Sequence, residues 1–483
     1  MLTVHDSATV RAAEAAMIRR VGADALMDRA STGLTLVAVR MLREAPGHVL
    51  GSRVSLLVGA GANGGDALFA GARLARRGVR VGAVLLAGDR THAGGLAALR
   101  RAGGRVHAHD EPGVPAVLAG ADLVLDGIVG IGGTGGLRPD AAALVGTVRR
   151  AGVPVLAVDL PSGVDADTGT VGPGRGGDDH VRATRTVTFG CLKPVHCLDP
   201  GAAACGPVEL VDIGLGPWLP PSGAFGVVTA ADVAAVPVPH GESQKYSRGV
   251  LGIRAGSAGY PGAAVLCTGG ALAGPVGMVR FVGPDDVARA VVRRFPEVVA
   301  GVGRVQAWVV GPGLGDDRGA EVTEVIASGL PVLVDADGLL ALGGRVPGGA
   351  PVLLTPHAGE LARLLGVDRS QVEARRLEHA VLGAQRTGAT VLLKGNTTVV
   401  ASPDGRVRVA DAGTPYLATA GAGDVLSGFA GALLAAGLDP LEAGALGAFL
   451  HGTAARRASG TPGRQIVAAE IAGALAATVA SLR

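Results

Sequence analysis

The strongest constraint on this chain is a junction that recurs along it. A short run of Val, Leu and Ala stops at a turn of glycine and polar residues, and a helical pattern usually follows. Val54–Val58 runs into Gly59-Ala60-Gly61-Ala62-Asn63-Gly64-Gly65-Asp66, and a helix of about three turns follows, ending near Gly78. Leu123–Leu125 runs into Asp126 and then Gly130-Ile131-Gly132-Gly133-Thr134-Gly135-Gly136. Val155–Val158 runs into Asp159-Leu160-Pro161-Ser162-Gly163, and Val79–Leu86 reads as a further strand. Buried strands alternating with helices predict a mostly parallel sheet covered on both faces. Ligands of such sheets bind beyond the carboxyl ends of the strands, so these polar ends should converge on one crevice. Taken singly, each glycine turn could be only a turn, and each acid only a cap.

The second half repeats the style with Val250–Ala255, Ala307–Val310, Val332–Val334, Val352–Leu354 and Val391–Lys394. Thr397–Ala401 is the expected hairpin partner, and two Ala/Gly/Leu-rich helices start at about Gly423 and Leu441. The proline-rich stretch Pro207–Gly249 separates the halves, which predicts domains at 1–220 and 221–483. A length of 483 residues exceeds one ordinary core, and the first half opens with helical patterns over Ala12–Ile18 and Leu26–Leu42.

Composition narrows the function classes. At 48% hydrophobic and 18% charged, each half can bury a core, and 80 glycines without a fixed period belong to turns, not to a fibre. Aromatics are only 2%, so base-stacking platforms are scarce, and the net charge of +3 is scattered; both argue against nucleic acid. No apolar run is long enough for a bilayer, and Met1-Leu2-Thr3-Val4-His5-Asp6 lacks a signal core, so the expected location is cytoplasmic. Cys191, Cys197, Cys205 and Cys267 form no C-x-x-C pair and read as free thiols. Lysine occurs only at Lys193, Lys245 and Lys394; each is a candidate for a compact ammonium that Arg cannot mimic, with chance survival as the alternative.

In the second half, Ala420-Gly421-Ala422-Gly423-Asp424 opens a helix. Backbone N–H groups there can stabilise charge on a transferring phosphoryl group, and Asp424 can accept a proton from an attacking hydroxyl. An Asp that merely caps the helix is the alternative. Lys394-Gly395-Asn396-Thr397-Thr398 ends a strand with an ammonium, hydroxyls and backbone N–H groups suited to phosphates. Gly311-Pro312-Gly313-Leu314-Gly315 and Leu354-Thr355-Pro356-His357-Ala358-Gly359-Glu360 end two more strands. His357 lies among turn residues, where binding groups gather, although a core histidine reads similarly.

Residues 1–215, with Asn-Gly-Gly-Asp after a strand, Asp126 before a Gly-Thr-Gly loop and Asp-x-Pro-Ser-Gly, resemble the NAD(P)H-hydrate epimerases. Leu26-Met27-Asp28-Arg29-Ala30 and Phe189-Gly190 leading to Lys193-Pro194 belong to the same resemblance. It implies a Rossmann-like three-layer α/β fold and a potassium ion held by Asn63, Asp126 and Ser162. It further implies substrate contacts at Ala62, Asn63, Gly64, Gly65, Asp66, Gly130 through Gly136 and Asp159, with Asp159 as the acid/base residue. Ala62 stands where that family has a second Asn, Ala67 replaces a glycine, and the 130–136 loop is longer.

Residues 225–483 resemble the ribokinase-like superfamily, and within it the ADP/ATP-dependent NAD(P)H-hydrate dehydratases. Lys245-Tyr246-Ser247-Arg248-Gly249, the Gly256–Ala263 segment, Gly-Pro-Gly, Thr-Pro-His-x-Gly-Glu and Lys-Gly-x-x-Thr occur in that family's order, with Ala358 in place of a proline. The resemblance implies a second three-layer α/β domain, with hydrated-nicotinamide contacts at Ala263, Gly313, His357 and Asp424. Nucleotide contacts would come from Lys394, Gly395, Asn396, Thr397, Thr398 and Gly423, with Mg2+ accompanying ADP. The expected partners are hydrated NADH or NADPH and ADP, and a homo-oligomer is compatible with the sequence. Two rival readings stand beside this one: a kinase of a sugar or vitamin precursor, and a first half that binds without catalysing.

Overall fold

The computed structural model describes residues 1–133, 135–172, 179–221, 225–315, 318–347 and 350–483. It divides into two compact units, Thr3–Ser222 on the one hand and Gly223–Arg483 with Met1–Leu2 on the other.

The first unit is built on a seven-stranded, wholly parallel sheet. Its spatial order is Arg105–Ala108, Arg80–Leu85, Arg53–Val58, Leu123–Gly127, Val155–Val158, Arg185–Phe189 and Val208–Val211. Leu56 and Leu57 show why both faces are covered. Successive strand residues point to opposite faces. Leu56 packs with Leu34, Leu68 and Leu99 from helices on one face, and Leu57 packs with Leu118 and Leu144 from helices on the other. The chain leaves Arg53–Val58 toward one edge and returns on its other side at Leu123–Gly127. Between these two strands lies the topological switch point, where such a sheet opens a crevice.

The second unit carries an eleven-stranded mixed sheet. Seven parallel strands run in the order Val299–Ala300, Met278–Phe281, Val250–Arg254, Ala307–Val310, Val332–Val334, Val352–Leu354 and Thr390–Leu393. Thr398–Ala401 and Val407–Ala410 then pair antiparallel, and Phe225–Val227 and Leu2–Thr3 complete the edge. The switch point here lies between Val250–Arg254 and Ala307–Val310. The helices Pro261–Leu272, Ala422–Ala435 and Pro440–Ser459 bury Cys267, Phe429 and Leu450 against the sheet residues Leu251, Ile253 and Val309.

One expectation is corrected. The Gly59–Asp66 segment is not a loop throughout: the helix begins at Ala62 and runs to Ala75, so Ala62 through Asp66 form its first turn and the helix has 14 residues. With Gly61 in extended conformation at the N-cap, the two glycines at 64 and 65 are tolerated inside a helix because both are buried against neighbours.

Candidate functional site

In the first unit a cavity of about 570 Å3 opens at the switch point, lined by Gly59–Asn63, Ile128–Gly133 and Gly136 together with Arg90 and Arg138. The two strand ends approach so closely that a Cβ at Gly59 would stand 1.8 Å from the Ile128 carbonyl oxygen. Asn63 donates to the Val158 carbonyl at 2.6 Å. Its amide lies directly under Gly130, where a Cβ would come within 2.5 Å of Asn63 Oδ1. The structure thus brings Asn63 and Gly130 together. Thr134 lies outside the described residues.

Asp126 is fully buried and accepts from the Ser162 hydroxyl at 2.6 Å and the Ser162 N–H at 2.8 Å. Ser162 Oγ in turn accepts from the Val129 N–H at 3.0 Å and lies 3.2 Å from the Val129 carbonyl oxygen. Burial pushes the Asp126 carboxyl up to about 6, against the lowering effect of these hydrogen bonds. The groups that lower it are the neutral Ser162 hydroxyl and the Ser162 and Ile128 N–H groups, and among the described residues no cationic side chain pairs with this carboxylate.

Asp159 sits just past Val155–Val158 with a φ of 69°, in the left-handed region that a non-glycine residue enters only where its surroundings impose it. Those surroundings are visible. Its Oδ1 accepts from Lys193 Nζ at 2.5 Å and Thr188 Oγ1 at 2.9 Å, and its carbonyl oxygen lies 2.9 Å from His196 Nε2. Burial raises the carboxyl, but the Lys193 ammonium, His196 and the Thr188 hydroxyl outweigh it, leaving Asp159 below the usual carboxylate range. His196 itself is pushed down to about 4, first by burial and then by Lys193.

Asp66 has the opposite character. It is buried, its Oδ1 has no hydrogen-bond partner among the described residues, and burial followed by repulsion from Asp159 and Glu14 pushes its carboxyl well above the ordinary range. Glu14, from the helix Ser7–Val21, is raised by burial in the same cluster. A carboxylate held ionised beside a carboxyl held neutral can accept and donate protons in one site. Lys193 and Glu14 were not among the expected site residues. For Lys193 the signals were the scarcity of lysine and its place in the Phe189-Gly190 to Lys193-Pro194 segment, and nothing in the sequence singles out Glu14.

In the second unit Ala263 and Gly313 meet across the switch point: a Cβ on Gly313 would stand 2.7 Å from Ala263 Cβ. His357 is the N-cap of the helix Ala358–Leu365, with Nδ1 accepting from the Gly359 and Glu360 N–H groups at 3.0 and 3.2 Å. Its side chain is 53% exposed, which removes the core-histidine reading. Lys394 Nζ donates to Asp335 Oδ1 at 2.8 Å and lies 3.8 Å from Glu360. Burial lowers the ammonium, but Asp335 and Glu360 raise it further, so it stays charged. The Lys394–Thr398 turn is propped from behind by buried Arg376, which donates to the Leu393, Lys394 and Thr397 carbonyls.

The helix Ala422–Ala435 points its N-terminus at Lys394: a Cβ on Gly423 would lie 3.6 Å from Nζ. Asp424, in the first turn, is pushed up to about 7 by burial and then by Asp335, with Lys394 opposing. Lys394, Gly423 and Asp424 therefore share one locality, and His357 neighbours it through Glu360. Asp335 is a member that sequence reasoning missed, although it directly follows the strand Val332–Val334 in Asp335-Ala336-Asp337-Gly338.

Residues 23–195 match the family described as YjeF-related protein N-terminus, and residues 251–476 match the family described as NAD(P)H-hydrate dehydratase. The bifunctional NAD(P)H-hydrate repair enzyme Nnr of Mycobacterium leprae is 50% identical over 475 residues, covering 95% of this chain and 94% of that protein. The enzyme of the same name from Mycobacterium tuberculosis is 50% identical over 90% of both chains. Among solved structures, the ADP/ATP-dependent NAD(P)H-hydrate dehydratase of Bacillus subtilis, co-crystallised with ATP and Mg2+, is 29% identical with a TM-score of 0.50; the match covers 53% of this chain and 98% of that one. With identity at this level running through both units, the chain belongs to the bifunctional NAD(P)H-hydrate repair enzymes.

Proposed function

We propose that the first unit interconverts the two C6 epimers of hydrated NADH and NADPH, and that the second dehydrates the S epimer with ADP, releasing AMP and phosphate. Hydroxide is a poor leaving group from C6, and phosphate is a good one. Phosphoryl transfer to that hydroxyl followed by loss of phosphate restores the ring. The observation that carries this reading is that each compact unit holds its own acid–base constellation: Asp159 with Lys193 and Asp66 in one, Asp424 with Lys394 in the other.

In the first site Asp159, kept ionised by Lys193, accepts the proton, and Asp66, kept neutral, offers a donor. Ala62 through Asp66, the Gly130–Gly136 loop and Asp159 contact the substrate. Asn63, Asp126 and Ser162 would hold a potassium ion. The fit rests on their oxygens, which suit a hard cation, and on the buried Asp126 carboxylate, which among the described residues pairs with no cationic side chain. When bound, such an ion supplies fixed positive charge near the strand ends.

In the second site Ala263, Gly313 and His357 contact the hydrated ring, while Gly423 and the Lys394–Thr398 turn receive the magnesium nucleotide. Asp424 takes the proton of the attacking hydroxyl. A sugar-kinase reading leaves the first site unused, and a non-catalytic first unit leaves the strained Asp159 and its buried partner without a purpose.

The test is a mixture of R- and S-hydrated NADH given ADP and Mg2+, with the return of reduced-nicotinamide absorbance followed to completion. Full recovery is expected from the wild type, and recovery of the S fraction alone from Asp159→Ala. Recovery only of the S fraction by the wild type would overturn the epimerase half. No recovery with any nucleotide would overturn the whole.

A further inference from the structure

Asp335 occupies a place that phosphoryl transfer in the second unit does not by itself require. It directly follows the strand Val332–Val334, its side chain is 2% exposed, and both of its carboxylate oxygens are engaged. Oδ1 accepts from Lys394 Nζ at 2.8 Å, and Oδ2 accepts from Ser427 Oγ at 2.6 Å. Ser427 belongs to the Ala422–Ala435 helix, one turn beyond Gly423 and Asp424. A Cβ at Gly423 would lie 3.6 Å from Lys394 Nζ and 3.9 Å from Asp335 Oδ2. Asp335 therefore ties the end of the strand Thr390–Leu393 to the first turns of the helix that carries Asp424. The backbone there is also constrained: Ala336 has a φ of 48°, strained for a residue with a Cβ.

We propose that Asp335 is a positioning residue for phosphoryl transfer: anchored by Ser427, it holds the Lys394 ammonium at the N-terminal edge of the Ala422–Ala435 helix, where the transferring phosphate meets Gly423 and Asp424. This rests on the reading of Asp424 as the base. An untethered lysine stem has four rotatable bonds, and a ligand that must be found by a wandering ammonium loses the benefit of preorganisation. One ion-pair hydrogen bond to Asp335 leaves Nζ two further donors for phosphate oxygens.

The carboxylate has a second consequence, because it is a fixed negative charge beside Asp424. The charged and titratable groups around Asp424 are Asp335, Asp337, Lys394 with its neighbour Glu360, Cys267 on the helix Pro261–Leu272, and His451 on the helix Pro440–Ser459. Burial drives His451 down to about 4, so near neutrality it carries no charge, and burial followed by Asp424 and Asp335 keeps the Cys267 thiol protonated. Of these groups, Asp335 acts most strongly to keep Asp424 protonated.

The test is the pH profile of dehydratase turnover in Asp335→Asn, in the full chain. Asparagine keeps the size and can still meet Ser427, but it lacks the charge. Turnover at its pH plateau is expected to fall about 10- to 100-fold with KM for ADP nearly unchanged, as expected for a mispositioned group. The acidic limb is expected to move about one unit toward lower pH, as removal of a like charge dictates. An unchanged plateau or an unmoved limb in a variant with native melting overturns the proposal. If Asp335→Asn fails to fold, Ser427→Ala decides: it leaves the charge and removes the anchor, so turnover should fall without a change in KM, and undiminished turnover overturns the proposal. Asp424→Asn keeps the two readings apart. If it retains full turnover the base assignment fails, whereas its loss of turnover beside an unaffected Asp335→Asn refutes the role of Asp335 alone.

Discussion

Lys193 Nζ stands 2.5 Å from Asp159 Oδ1, with side chains only 2% and 8% exposed. Removing one partner of a buried pair leaves the other charge uncompensated, at a cost of about 3–5 kcal/mol. Lys193→Met should therefore lower the unfolding free energy of the first unit by about that amount and abolish epimerisation. The pH dependence follows from the depressed Asp159 carboxyl. Its contribution to stability is complete above the ordinary carboxylate range and is lost as pH falls through the depressed value. Urea unfolding at several pH values checks both statements, and a loss below about 1 kcal/mol would place the pair among weak surface contacts.

Asp424→Asn should cut dehydratase turnover by about 10²–10⁴-fold while leaving ADP affinity intact. The N-cap of the Ala422–Ala435 helix is Gly421, so Asp424 is not its cap; asparagine keeps the size and a hydrogen-bonding group, and a purely structural Asp424 would tolerate the change. Because Asp424 is pushed up to about 7 and must be ionised to accept a proton, wild-type turnover should fall as pH drops below that value. Stopped turnover with unaltered calorimetric ADP binding is the expected pairing, and a variant that keeps about a tenth or more of the wild-type rate contradicts the assignment.

Potassium should raise the thermal midpoint of the wild type and leave Asp126→Asn unresponsive. At one hundred times the dissociation constant the stabilisation is about 2.7 kcal/mol. Calorimetric scans with and without potassium chloride, at constant ionic strength, measure the difference. Equal shifts in the two proteins would remove Asp126 from the ion's neighbourhood.

Fragments 1–220 and 222–483 should each fold and keep one activity, epimerisation in the first and dehydration in the second. The second fragment lacks Met1–Leu2, and with them the contact of the terminal ammonium with Asp232 at 2.6 Å. That partly exposed pair is worth about 0.2–1 kcal/mol, so the loss should be small. Unfolding of both fragments while the whole chain stays stable would show that the units depend on each other.

Much of this architecture was open to reading because strand ends announce themselves. Asn63, Asp126, Asp159 and Ser162 all lie past short apolar runs and within two residues of a glycine or proline, and the parallel sheet gathers them at one edge. Residues that arrive from elsewhere left weaker traces. Lys193 reaches Asp159 from beyond the strand Arg185–Phe189, 34 positions along the chain, and neither the shortage of lysine nor the Lys193-Pro194 segment says that the two side chains meet. Asp335 follows a strand of only three residues and is one of two acids before Gly338, so nothing in the sequence showed that it, and not Asp337, meets Lys394 and Ser427. The helical start at Ala62 was hidden because Gly64 and Gly65 favour turns over helices, and packing of Gly64 against the Gly59 backbone and of Gly65 against His92 and Met27 overrides that preference. The short strands Arg105–Ala108 and Val299–Ala300 carry too few residues for an apolar period to emerge.

The bare backbone at Gly130 gives a stereochemical choice a physical address. The Asn63 amide fills the space that any side chain there would need, down to 2.5 Å from Oδ1. Adding one methyl group, as in Gly130→Ala, would displace Asn63 from the crevice and leave the second unit's chemistry untouched. The edited chain would then process only one mirror arrangement at C6, and the other would disappear no faster than it inverts unaided. The room of a single methyl group, held by the Asn63 amide, thus separates a repair enzyme indifferent to handedness from one that strands part of its damaged cofactor.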